Sequence, residues 1–147
     1  TVAMQAGRIV LARLKELAAA RADFGLETTL ASRTFAPWLK GLVADGYRFH
    51  LVFLWLPSAD LAVARVADRV RRGGHDVPEE TIRRRHAAGL RNFARLYRPL
   101  TTSWQMYNAE GQARMLVASG TGAKVDAVRR PDFWRIIETQ AGSHTDG

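Results

Sequence analysis

Apolar and polar positions alternate along this chain in two rhythms, one helical and one extended. Ile9, Leu11, Leu14 and Leu17, with alanines between them, recur at helical spacing and predict a helix over 2–21, after which Gly25 breaks the pattern. Leu26 to Leu30 (LETTL) predicts a short strand ending in polar residues, and a second helix is expected over 33–44, closed by the turn pair Asp45-Gly46. Tyr47 to Leu56 (YRFHLVFLWL) is nearly continuously apolar in its second half, as expected of a central strand covered on both faces. Pro57-Ser58 then opens a helix to about Arg72, stopped by Gly73-Gly74, and Pro78 opens another to about Tyr97 with Glu79 and Glu80 in its first turn. Arg114 to Ser119 is a further candidate strand and Pro131 to Thr139 a last short helix.

Helices alternating with strands predict an α/β fold with a mostly parallel, three-layer sheet and right-handed crossovers. The domain is expected to span 1–140, with a helical lid at about 69–85 and a loose tail over 141–147. Three strands are few for such a sheet, and the chain opens on a helix with no strand before it.

Composition narrows the class. With 47% apolar and 24% charged residues the 147-residue chain can close a core, and with no cysteine there is neither a disulfide framework nor a thiolate metal site. The longest apolar run, Leu51 to Leu56, is far below the roughly 18 to 20 residues a membrane span needs. A cytoplasmic protein with no membrane partner is expected. The net charge of +8 and pI near 11.0 call for an anionic partner, and its placement says more than its size. Of 22 basic residues 19 are arginine, and ten of those fall between Arg65 and Arg98, against only Asp68, Asp76, Glu79 and Glu80.

In the helix from Ser58, Val63, Val66, Ala67 and Val70 share one face, and Arg65, Arg69 and Arg72 the opposite one. In the next helix Ile82, His86, Leu90, Phe93 and Tyr97 form the apolar stripe, Arg83 and Arg85 flank it, and Arg84, Arg91, Arg95 and Arg98 line the far side. Two arginine-bearing helices joined by Gly73-Gly74-His75-Asp76 make a hairpin with a glycine hinge, able to close over a bound anion as a kinase lid does. Arginines delivered by a closing lid suit the charge spread over a transferring phosphoryl group. Arg69, Arg72, Arg84 and Arg85, nearest the hinge, are the phosphate candidates, with Arg72, Arg84 and Arg85 in the catalytic role. Arg91, Arg95 and Arg98 are expected to face solvent.

Glu27, Thr28 and Thr29 stand at the expected C-terminal end of a strand, where open α/β sheets place ligands. A carboxylate and two hydroxyls there could orient a hydroxyl-bearing acceptor, help hold Mg²⁺ through water, or simply cap the strand. His50 and His86 read as core or boundary residues, whereas His75 in the hinge could meet a phosphate or base, or cap the preceding helix. His144 lies in the tail. Trp38, Trp55, Trp104 and Trp134 are spaced for packing and not for base stacking. No Ser-His-Asp pattern, metal-spaced histidine cluster or Gly-rich phosphate loop occurs.

The stretches FGLETTLASR (24–33), GYRFHLVFLWLPSADLAVARVADRVRRGGHDVPEETIRRR (46–85) and GLRNFARLYRPL (89–100) resemble the zeta-toxin-like P-loop kinases over about Gly7 to Ser119. The resemblance implies a P-loop fold in which a strand, Walker-type loop, helix and second strand with an aspartate precede the helix that opens this chain. It implies ATP and Mg²⁺ as cofactors of the complete protein, neither bound by a motif in these residues, so that this chain alone should not turn over. By the same resemblance Glu27, Thr28 and Thr29, with Arg33 nearby, would face the acceptor, and Arg69, Arg72, Arg84 and Arg85 would grip the ATP phosphates. Toxin members phosphorylate UDP-N-acetylglucosamine, an acceptor that does not carry over by resemblance alone. Where relatives have an acidic Tyr-Asp-Asn-Ser segment this chain reads Tyr107-Asn108-Ala109-Glu110, so Asn108 marks a contact near the nucleotide.

Two function classes remain. The first is the acceptor-and-lid portion of an ATP-dependent kinase acting on a small hydroxylated molecule, a nucleotide sugar among them, with an antitoxin-like protein or self-association left open as partners. The second is a non-catalytic anion or nucleic-acid binder, against which stands the lack of aromatic residues among the arginines, or a degenerate kinase remnant.

Overall fold

The computed structural model describes residues 2–142, with side chains from residue 5. Eight regular elements define the architecture before the last helix: α1 (Val2–Ala19), α2 (Phe35–Ala44), β1 (His50–Trp55), α3 (Ala59–Arg71), α4 (Glu79–Asn92), β2 (Ser103–Asn108), β3 (Met115–Thr121) and β4 (Lys124–Val128). The chain closes on α5 (Pro131–Gly142), so Ala141 and Gly142, expected in a loose tail, are helical, and the rest of that tail with His144 lies outside the described residues.

The fold is α/β, and the predicted helices all form within a few residues of their expected ends. Ser58 caps α3, its Oγ accepting from Leu61 N at 3.2 Å. The helix expected to run unbroken to Tyr97 instead passes from α4 into a π-helical turn, Phe93–Tyr97, and a 3₁₀ turn, Arg98–Leu100.

The sheet has the order β1-β2-β3-β4, with β1 parallel to β2 and the other two pairings antiparallel. The expectation of a mostly parallel sheet is therefore wrong, for a reason visible in the connections. Only β1 to β2 passes through helices; the links 109–114 and 122–123 are too short for a crossover and can only return the chain antiparallel. Gly122, at φ +57, makes the second of these turns.

The strand expected at Leu26 to Leu30 is also absent. Residues 26–30 form a loop in which Thr28 Oγ1 accepts from Leu30 N at 3.2 Å and Thr29 Oγ1 from Ala31 N at 3.4 Å, while Leu30 adopts φ +57 with its side chain buried. Strand propensity in Thr acts only where a neighbouring strand can pair, and here the hydroxyls satisfy the local amides.

One face of the sheet carries the core. Leu51, Phe53 and Trp55 of β1 align with Trp104, Met106 and Asn108 of β2, and beneath them pack Leu90, Phe93, Tyr97, Trp134 and Ile137. The rings interlock: Phe93 meets Trp104 edge-on at 5.7 Å, and Trp104 stacks on Trp134 at 5.7 Å. The expectation that β1 is covered on both faces fails, because His50, Val52 and Leu54 on its other face are exposed.

Candidate functional site

The hairpin of α3 and α4 springs from the C-terminal end of β1, the edge at which open α/β sheets bind ligands. Its foot is tied to the neighbouring strand: Arg65 donates to the carbonyl of Ala109, just past the end of β2, and Ala109 N donates to Trp55 O at 2.8 Å. Arg83 joins the two helices, donating to Asp60 Oδ1 at 2.7 Å and to Glu79 Oε1 at 2.9 Å. Those two carboxylates hold its guanidinium above its ordinary pKa, chiefly through the hydrogen bond to Asp60.

At the hinge, Gly73 sits at φ +92, which a side chain would strain, and Gly74 N donates to Arg69 O at 2.8 Å. A Cβ at Gly74 would lie 2.6 Å from Arg69 Cγ, so the tight turn fixes where the Arg69 side chain leaves the helix. Arg69, Arg72, Arg84, Arg85 and His75 are all exposed. Arg72 pairs with Asp68 at 3.3 Å, an exposed contact worth at most about 1 kcal/mol and easily given up to a ligand.

The acceptor candidates lie elsewhere on the surface, yet α4 connects them to the hairpin. Glu27, Thr28 and Thr29 line a cleft of about 1230 Å³, together with α2, the exposed side of β1 and Arg114. Arg33, also exposed, does not line it. The loop is held firmly: Asn92, itself buried, donates through Nδ2 to Leu30 O at 2.8 Å and Ala31 O at 3.2 Å, and the Tyr97 hydroxyl donates to Ser32 O. The Thr29 carbonyl rests directly on Gly89 of α4, where a Cβ would be closer than 3.0 Å. Gly89 lies one helical turn beyond Arg85, so the loop carrying Glu27 to Thr29 is seated against the helix that carries the lid arginines.

Other candidates are placed differently from expectation. Arg98 does not face solvent: its Nε is buried without a hydrogen-bond partner, its guanidinium lies 5.4 Å from the Trp104 ring centre, and burial lowers its pKa despite nearby Glu138. Asn108 is buried, its Oδ1 accepting from Glu110 N at 2.9 Å, so its side chain shapes the β2–β3 turn. His86 Nε2 bonds to Leu56 O at 2.8 Å and His50 Nδ1 to Ser103 Oγ at 2.7 Å. The sequence reading missed Arg65, Arg83 and Asn92 as the residues that fix this geometry. Arg83 left the plainest signal, four residues after an acid on the same helix.

Among the described residues no three His, Cys, Asp or Glu side chains gather to hold a metal ion, and no helix is long and apolar enough to cross a membrane.

An uncharacterized protein of Haemophilus influenzae (strain ATCC 51907 / DSM 11121 / KW20 / Rd) is 27% identical over 63 residues, covering 43% of this chain and 45% of that protein. The match therefore spans less than half of the relative's length. No solved structure matches the chain. The model of the Zeta toxin family matches residues 1–119, from α1 into β3, and leaves β4 and α5 outside the match. On that match the chain belongs to the zeta toxin family.

Proposed function

We propose that this chain supplies the acceptor side and the lid of an ATP-dependent kinase that phosphorylates a small hydroxylated molecule, a nucleotide sugar being one acceptor class. The family suggests kinase-like chemistry. The observation that carries the finer reading is the seat of the Thr29 carbonyl on Gly89, one turn from Arg85, which brings a carboxylate-and-hydroxyl loop and a set of exposed guanidinium groups onto one helix.

In this reading Glu27, Thr28 and Thr29 orient the acceptor hydroxyl, with exposed Arg33 four residues after Thr29. ATP, when bound, supplies the phosphoryl group. Arg84 and Arg85 lack an acidic partner among the described residues, so they can meet phosphate oxygens without breaking an ion pair, and Arg72 can exchange Asp68 for phosphate at small cost. Arg69 is aimed by the Gly74 turn, and His75 stands in the hinge beside it. Because these charges spread over several donors, closure of the hairpin would neutralise the equatorial oxygens as they gain charge. No three His, Cys, Asp or Glu side chains gather among the described residues, so Mg²⁺, which beside phosphates needs only one or two carboxylates, would be held chiefly by the nucleotide.

The sequence holds no Gly-x₄-Gly-Lys-Ser/Thr loop. Turnover is accordingly assigned to this chain only in company with a segment that carries one. Among the described residues β1 pairs with β2 alone, and this outer edge is suited to pair with a strand of such a segment.

The test is calorimetric titration of ATP with Mg²⁺ into the chain alone and joined to a Walker-type segment, with phosphate transfer to nucleotide sugars followed in parallel. Arg84→Ala with Arg85→Ala should weaken nucleotide binding about tenfold or more, since charge-assisted hydrogen bonds contribute roughly 1.5–3 kcal/mol each. Absence of nucleotide binding in the joined form, or binding indifferent to the two arginines, would refute the proposal.

A further inference from the structure

The helix α5 lies outside the family match, yet it reaches the root of the hairpin. Gln140, half-buried near its end, accepts from Trp55 Nε1 at 3.1 Å and donates to Pro57 O at 2.9 Å. The two partners fix the orientation of the amide: an indole N–H can only donate and a carbonyl can only accept, so Oε1 must face Trp55 and Nε2 must face Pro57. Trp55 is the last residue of β1 and Pro57 precedes Ser58, the cap of α3. Gln140 thus spans the joint at which the strand ends and the lid helix begins.

The joint is held from a second side as well. His86 of α4 bonds to Leu56 O, between Trp55 and Pro57, and Arg83 bonds to Asp60 in the first turn of α3. The Arg83 contact lies within the hairpin, whereas His86 ties α4 to the joint itself, as Arg65 ties α3 to the end of β2. Gln140 adds a tie from a separate element: α5 is anchored in the core through buried Trp134 and Ile137, and it bridges that body to the base of a hairpin in which α3 has no fully buried residue.

The geometry points to Gln140 as a positioning residue for the hairpin: through Trp55 and Pro57 it fixes the root of α3 and so restricts how freely the arginine-bearing helices swing. The inference rests on the reading of the hairpin as a moving lid. It concerns a C-terminal helix that the family match does not include.

The test is hydrogen exchange with mass-spectrometric readout on the full chain, without ligand, comparing wild type with Gln140→Leu and Gln140→Glu. Loss of the two bonds should speed amide exchange about three- to tenfold over 58–75, with β2 and β3 exchanging as in wild type. Gln140→Glu keeps the acceptor for Trp55 and loses only the donor to Pro57, so a smaller acceleration, about two- to threefold, is expected over the same residues. Unchanged exchange over 58–75 in either variant overturns the assignment. So does acceleration spread evenly across 103–121, which would make Gln140 a support of the fold at large. This readout needs no nucleotide, so an absence of ATP binding would sink the kinase reading and leave the exchange result standing on its own.

Discussion

Replacing Gly89 with alanine sets two effects against each other, and the structure says which should win. In a helix interior alanine is favoured over glycine by about 1 kcal/mol. At Gly89, however, the new methyl would fall closer than 3.0 Å to the Thr29 carbonyl oxygen, a rigid backbone atom. The loop has little freedom to retreat, because Leu30 is buried at φ +57, Asn92 holds the carbonyls of Leu30 and Ala31, and Tyr97 holds that of Ser32. Overpacking of this kind costs about 1–3 kcal/mol, and stretching the two Asn92 bonds adds about 1 kcal/mol more. The net loss should be about 1–3 kcal/mol, or a fall in Tm of roughly 3–10 °C for a chain of this size. The same change at Gly41 of α2, where nothing lies within 4 Å of the new methyl, should raise Tm by a few degrees. Thermal unfolding followed by circular dichroism of both variants is the assay. A Gly89→Ala protein as stable as wild type, or one that gains stability as Gly41→Ala does, would show that the acceptor loop is not seated on α4.

Burial raises the Tyr97 pKa above its ordinary 10.0, so the folded protein keeps a proton that the unfolded chain gives up. The associated stability is complete below pH 10 and is lost as pH rises from there through the folded-state value. Melts between pH 8 and 11 should fall more steeply for wild type than for Tyr97→Phe above pH 10, and parallel curves would contradict the argument. Arg83→Met should shift the urea midpoint only slightly, since its ion pairs are exposed, and wild type should shift by a similar amount in 1 M salt; a loss well beyond that salt effect would mean that the clasp is more than a surface pair.

How much of this was legible in the sequence depends on whether a feature is local. The α4 stripe Ile82, His86, Leu90, Phe93 and Tyr97 was readable from spacing alone, since helical periodicity is written within the segment, and four of the five are buried. β2 was missed although its alternation is clear once paired, with Trp104, Met106 and Asn108 inward and Gln105 outward, because three inward positions in six residues do not stand out from a loop. Arg98 misled for a related reason. Helical projection assigned it to the outer face, but the π-helical turn at Phe93–Tyr97 inserts an extra residue per turn and rotates the residues after it, carrying Arg98 over Trp104. The candidate loop shows the limit most clearly. Its residue types pointed to a ligand edge, and Glu27, Thr28 and Thr29 do line a cleft. Its conformation came out wrong, because the partners that decide it, Gly89, Asn92 and Tyr97, are some sixty residues away. A glycine where an alanine would favour the helix, followed three residues later by a buried amide, is the trace such a seat leaves: both residues forgo local stability for one contact, which is why the Gly89 substitution tests the site as well as the fold.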